Sequence, residues 1–193
     1  MQYDYTIFEA EVASTFNEQL VFQYLLDKAE TQEMKAYLLA NRASDILATL
    51  YRQTMFAEFE MNIGKLAQEG TALTPDVLNA EYRRLNRLYF GENIVLDDEI
   101  DMEWMRIPHF YYNYYVFQYA TGYAAAIALS RRILREGESA VKDYIGFLSG
   151  GCSKSPIDLL KGAGVDMSTT QPVEEALALF GELIDEMEAL MQE

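Results

Sequence analysis

Residues 7–28 read IFEAEVASTFNEQLVFQYLLDK, and within them Phe8, Val12, Phe16, Leu20 and Tyr24 recur at steps of four, with Leu25 alongside. That spacing lines the apolar side chains along one helix face and does not fit the two-residue alternation of a strand. The helical period continues downstream. Met34, Leu38, Ile46, Leu50, Met55, Phe59, Ile63 and Leu66 predict one long helix over 31–68, which Gly70 stops. Thr74 before Pro75 reads as an N-cap with proline at the first helical position, and that helix runs to Phe90 and ends at Gly91. Residues 93–101 read as a loop leading to a short helix around Trp104. Pro108 biases Ile107 away from helical geometry, and a helix over 110–135 is expected behind it. Shorter helices fit 139–148 and 155–161, and a last one fits 173–191 with Leu177, Phe180, Ile184, Met187 and Met191 as its stripe. No alternating stretch, repeat, low-complexity tract or linker interrupts the pattern. The expectation is an all-α fold, with residues 1–193 forming one compact multi-helix unit.

Composition narrows the function. Half of the 193 residues are hydrophobic and 24% are charged, the balance of a chain that buries a core. Thirty-one acidic against 15 basic side chains give a net charge of −16, which repels phosphate backbones and anionic lipid headgroups. No nucleic acid and no membrane surface is therefore expected as a partner. The longest apolar run, 123–129, is too short to cross a bilayer, and acids at 4, 9 and 11 interrupt the N-terminal stretch where a signal peptide would need apolar residues. A single cysteine, Cys152, excludes an intrachain disulfide and points to a reducing compartment; a cytoplasmic location is expected. One histidine and one isolated cysteine cannot make a zinc site by themselves.

Two groups of residues carry chemistry. Glu11 and Glu18 lie seven positions apart, on one face of the first helix, among Phe8, Val12, Thr15 and Phe16. A carboxylate on an apolar face needs a partner, either an arginine such as Arg42 or Arg52, or a metal ion. The second group is the stretch from Arg106 to Tyr119, where His109, Tyr111, Tyr112, Tyr114, Tyr115 and Tyr119 crowd behind Pro108. In a helix, Tyr111 and Tyr115 would share a face, as would Tyr112 and Tyr119. Each buried phenol demands a hydrogen-bond partner. The stretch therefore reads either as a tyrosine-rich core stripe or as a pocket that donates hydrogen bonds to a carbonyl or oxyanion.

At these residues the sequence resembles oligoendopeptidase F and its relatives among the thimet-oligopeptidase-like (M3-type) zinc peptidases. The similar segments are Phe8-Glu9-Ala10-Glu11-Val12-Ala13-Ser14-Thr15-Phe16-Asn17-Glu18, Arg52 to Glu60, Ile107 to Gly122, and Leu159 to Met167 with the last helix; together they span essentially the whole chain. The resemblance implies a lobe equivalent to the C-terminal catalytic-domain helices of a zincin-like oligopeptidase. It implies Glu11 as the third zinc ligand beside the two histidines of H-E-x-x-H, with Glu18 near the metal. It further implies that His109 binds substrate and supports the tetrahedral intermediate, and that Tyr115, Tyr112 and Tyr111 contact the scissile carbonyl. The reaction would be zinc-assisted hydrolysis of short peptides, with the glutamate of H-E-x-x-H as base.

The sequence departs from that family in one large respect: H-E-x-x-H is missing, and only ten residues precede Glu11. Two zinc ligands and the base are thus absent, so the chain alone is expected to be inactive and to hold zinc poorly. Apolar surface normally covered by the missing N-terminal half is expected to promote association with that half or with itself. A different class of function is a non-enzymatic helical protein that binds peptides or a partner in the tyrosine-lined groove.

Overall fold

The computed structural model describes residues 4–192, and among them every regular element is helical. Helix α1 spans Ile7–Lys28, α2 Gln32–Ile46, α3 Arg52–Gln68, α4 Pro75–Phe90, α5 Phe117–Glu136, α6 Glu138–Gly150, α7 Pro156–Gly162 and α8 Gln171–Gln192. A π-helical turn occupies Leu47–Tyr51, and 3-10 turns occupy Asp98–Arg106 and Pro108–Tyr112. The all-α expectation holds. No helix among the described residues is long and apolar enough to cross a membrane.

The expected single helix over 31–68 is instead divided by the π turn. Its cause is visible in the spacing: Ile46 to Leu50 and Met55 to Phe59 are steps of four, whereas Leu50 to Met55 is a step of five. A π turn accommodates one extra residue, so Ile46, Leu50, Met55 and Phe59 are all buried. Thr74 caps α4 as expected, its hydroxyl accepting the Val77 N–H at 3.4 Å, and Gly91 closes the helix with φ 80°.

The chain falls into two compact units, 4–50 with 121–192, and 51–120. In the first, Phe8, Val12 and Phe16 of α1 pack with Ala125, Ala126 and Leu129 of α5, and with Tyr144, Phe147 and Leu160 beyond them. Gly122 allows that approach: a Cβ there would already touch the Glu11 Cβ at 3.6 Å and the Phe8 carbonyl at 3.7 Å. Burial of each large apolar side chain in this core contributes roughly 1.5–3 kcal/mol. The stripe of α1 stops short of Tyr24, which is 62% exposed. Helix α8 packs against α2, and its buried residues are Pro172, Ala176 and Leu183, whereas Leu177 and Met191 are exposed. The expected stripe on α8 is met in part: Phe180, Ile184 and Met187 are half-buried, while its two ends, Leu177 and Met191, are exposed.

In the second unit, Met55, Phe56 and Phe59 of α3 meet Tyr82 and Leu85 of α4, together with Ile107 and Val116. The 98–106 turn is fastened to α4 by polar contacts. Glu103, 8% exposed, accepts hydrogen bonds from Arg52, Arg106 and the Tyr82 hydroxyl, the last at 2.7 Å. Arg83 grips Asp101 at 2.6 and 2.7 Å, and Trp104 Nε1 donates to Asn79 at 2.8 Å.

Burial pushes the Glu103 carboxyl up, but the hydrogen bonds from Tyr82 and Arg52 and the charges of Arg52 and Arg106 outweigh it, leaving it below its ordinary 4.5. A depressed carboxylate stabilises the fold above its unfolded pKa, and the contribution is lost as pH falls through the lowered folded value. At about pH 7, Glu103→Gln is expected to cost about 1–2 kcal/mol, modest because both arginines are partly exposed. Urea midpoints should show that deficit shrinking below about pH 4; a difference independent of pH would show that the charge of Glu103 does not hold the turn.

Candidate active-site residues

The stretch behind Pro108 does not continue as a helix. Pro108–Tyr112 forms a 3-10 turn, Asn113 and Tyr114 follow with φ 50° and 55°, and α5 starts only at Phe117. The helix expected over 110–135 is corrected accordingly, and Tyr111 with Tyr115, and Tyr112 with Tyr119, share no helical face. Two consecutive left-handed residues cost about 1–2 kcal/mol each, so packing must hold them. Phe110 stands edge-on to Phe56 at 5.4 Å and tilted against Phe59 at 5.2 Å, while the Glu60 carboxylate accepts the Tyr114 N–H at 3.0 Å. Tertiary contacts have overridden helix propensity here.

The reversal brings the rings together. The Tyr119 hydroxyl lies 3.3 Å from His109 Nε2 and 3.2 Å from the Tyr115 hydroxyl. The His109 ring is stacked on Tyr115 at 5.9 Å and meets Tyr119 edge-on at 5.4 Å. Tyr112 touches Tyr115 at 5.7 Å but is 66% exposed, and Tyr111 is 76% exposed. Three of the four expected residues, His109, Tyr115 and Tyr112, therefore belong to one cluster, and Tyr111 turns to solvent. The sequence reading singled out no special role for Tyr119, which is the hub. Its four-residue offset from Tyr115 was the available signal, obscured by extending the helix too far back. With His109 Nε2–H donating to Tyr119 and Tyr119 donating to Tyr115, the Tyr115 hydroxyl becomes the terminal donor of the chain, an arrangement suited to a developing oxyanion.

Glu11 and Glu18 lie on α1, in the other unit. Glu11 is half-buried, its carbonyl accepting the Thr15 hydroxyl at 2.6 Å and its carboxylate approached by the Ser14 hydroxyl at 3.5 Å. Glu18 is exposed and lines a groove of about 340 Å³ with Asn17, Phe22, Asn41, Arg42 and Asp45. Neither acid forms an ion pair among the described residues. Arg52 is taken by Glu103, and the buried Arg42 donates to the Tyr123 hydroxyl at 2.6 Å between the rings of Phe22 and Tyr123. Burial lowers the Arg42 pKa, opposed by Tyr123, Asp45 and Glu18. Among the described residues no three His, Cys, Asp or Glu side chains come together as a metal-binding group.

Comparison with known proteins places these residues in a family. The sequence model described as Peptidase family M3 matches residues 1–179. Oligopeptidase PepF of Bacillus subtilis (strain 168) is 55% identical over 188 residues, which are 97% of this chain and 28% of that protein. The chromosomal oligoendopeptidase F of Lactococcus lactis subsp. cremoris is 39% identical over 189 residues, 98% of this chain and 31% of its own length. A crystal structure of oligoendopeptidase-F from Enterococcus faecium superposes with a TM-score of 0.92 at 42% identity, covering 97% of this chain and 36% of that one. The chain belongs to peptidase family M3, and it spans about a third or less of the length of these curated relatives.

The hub position of Tyr119 has a direct test, because His109 is the single histidine and gives one set of imidazole signals. Tyr119→Phe removes both hydroxyl contacts and should displace the His109 ring nitrogen resonances, whereas Tyr115→Phe removes only the outer contact and should displace them less. Equal, small shifts for both variants would show that Tyr119 does not hold the imidazole. The stability cost of Tyr119→Phe should be about 1 kcal/mol.

Proposed function

We propose that the chain is the C-terminal part of a zinc metalloendopeptidase that hydrolyses short oligopeptides, with all of 1–193 serving one catalytic lobe. The observation that carries this reading is the His109–Tyr119–Tyr115 hydrogen-bonded chain, in a member of a peptidase family. In the complete enzyme Glu11 would supply one metal ligand, Glu18 would lie near it, and two histidines from H-E-x-x-H would supply the rest. Zinc bound there would polarise the scissile carbonyl and activate water. The part played by this chain is then positional and electrostatic. Tyr115 donates a hydrogen bond to the carbonyl oxygen as it gains charge, His109 supports that donor through Tyr119, and Tyr112 and Tyr111 flank the peptide.

Without H-E-x-x-H the chain supplies neither the base nor two of the three ligands, so it does not hydrolyse peptides by itself. Exposed apolar side chains support association with the remainder of such an enzyme, or with a second copy. On α1 these are Val21, Tyr24 and Leu25, and on α2 they are Met34 and Tyr37, each at least 44% exposed.

Two measurements test the reading. Zinc titration of the 193-residue chain should show no tight stoichiometric binding; a tight one-to-one complex would contradict the incomplete ligand set. In a longer family M3 polypeptide that joins H-E-x-x-H to this sequence, Glu11→Gln should lower zinc retention. There, His109→Ala should reduce kcat by up to about 10²–10³-fold, the usual loss for one oxyanion donor, because Tyr115 loses the chain that holds it as donor. Unchanged metal content or turnover would remove Glu11 or His109 from these roles, and peptide binding without turnover would favour a non-enzymatic binding protein.

A further inference from the structure

The His109–Tyr119 segment is shaped by a residue that lies outside it. Glu60 and Gly64 are one turn apart on α3, hence on one face of that helix. Glu60 is 6% exposed and its Oε1 accepts the N–H of Tyr114 at 3.0 Å, while Oε2 is buried and meets no hydrogen-bond partner among the described residues. Gly64 receives the other end of the same residue. A Cβ at 64 would lie 2.5 Å from the Tyr114 hydroxyl oxygen, so only glycine leaves room for the phenol as it sits. Tyr114 is therefore held at its backbone by Glu60 and at its ring tip over Gly64, at a left-handed φ of 55°.

We propose that Glu60 is the positioning residue of the His109–Tyr119–Tyr115 cluster, acting by anchoring the left-handed amide of Tyr114 between the turn that carries His109 and the helix that carries Tyr119. A buried carboxyl that satisfies only one of its oxygens is a costly choice for filling space, and its one hydrogen bond goes to the strained amide. Burial also raises its pKa, opposed by the Tyr114 hydrogen bond. The clamp fixes the direction in which the chain leaves the reversal. Tyr115 is the next residue and Tyr119 follows on the first turn of α5, so displacement of Tyr114 separates their hydroxyls from the imidazole of His109. Glu60 touches none of the reacting groups in this scheme; it sets where they stand.

The catalytic importance of the inference rests on the proposed peptidase role of His109, but its test does not. The 193-residue chain is prepared as Glu60→Gln, which keeps an acceptor, and as Glu60→Leu, which keeps the volume and removes the acceptor. The imidazole resonances of His109 are then recorded alongside the helix content. Glu60→Leu should keep the helices but displace the His109 signals and abolish ring contacts to Tyr119, whereas Glu60→Gln should retain both. A folded Glu60→Leu chain with wild-type His109 signals would overturn the proposal, and so would a Gln variant displaced as far as Leu. Where Glu60→Leu fails to fold, Gly64→Ala decides, because it disturbs the Tyr114 ring and leaves the carboxyl in place. Displaced His109 signals then support the clamp, and unmoved signals reject it. A positive result here with a fully active His109→Ala variant of the longer enzyme would leave the clamp standing and reject the peptidase role of the cluster.

Discussion

The left-handed pair Asn113–Tyr114 is the constraint on which the ring cluster depends. Had residues 110–135 formed one helix, His109 would sit at its N-terminal edge and Tyr119 nearly three turns along it, roughly 15 Å away at 1.5 Å per residue. The reversal instead places the Tyr119 hydroxyl 3.3 Å from His109 Nε2. Conformational strain at the two left-handed residues is offset by packing on both sides: Phe110 is wedged against Phe56 and Phe59, and Val116 is fully buried. Strain of this kind persists only where the surroundings over-determine it, and it tends to gather at functional sites.

Most of the helical plan was legible because its signals are local. The Thr74-Pro75 cap, the Gly91 stop and the Phe8–Val12–Phe16 period depend on nearest turns of chain, so one sequence is enough to read them. The π turn was legible in principle as the five-residue step from Leu50 to Met55. What was not legible were features set by residues far apart in sequence. The reversal at 110–116 packs on Phe56, Phe59 and Glu60, about fifty residues away, and the buried face of α8 depends on its packing against α2. Periodicity reports which residues prefer burial, not which partner arrives to bury them.

The same limit governs the acids. Seven-residue spacing put Glu11 and Glu18 on a face that looked buried, which required an arginine or a metal for each. In place, Glu11 is half-buried and Glu18 exposed, so water solvates both and the requirement lapses. The deeply buried acids are others, and each is satisfied by different chemistry. Glu9 accepts the Thr6 N–H at 2.8 Å at the start of α1, Glu103 is surrounded by Arg52, Arg106 and Tyr82, and Glu60 has one backbone N–H.

These three solutions predict different responses to their surroundings. Glu9 does local work in closing a helix end, and its partner is three residues away. Glu103 sits among two cations and a phenol, which favours its charged form and makes it a fastening that acid releases. Glu60 has no cation partner among the described residues; burial raises its pKa, opposed by the Tyr114 hydrogen bond, and one of its oxygens stays without a partner. Its hydrogen bond to the Tyr114 N–H ties α3 to the reversal that carries the ring cluster.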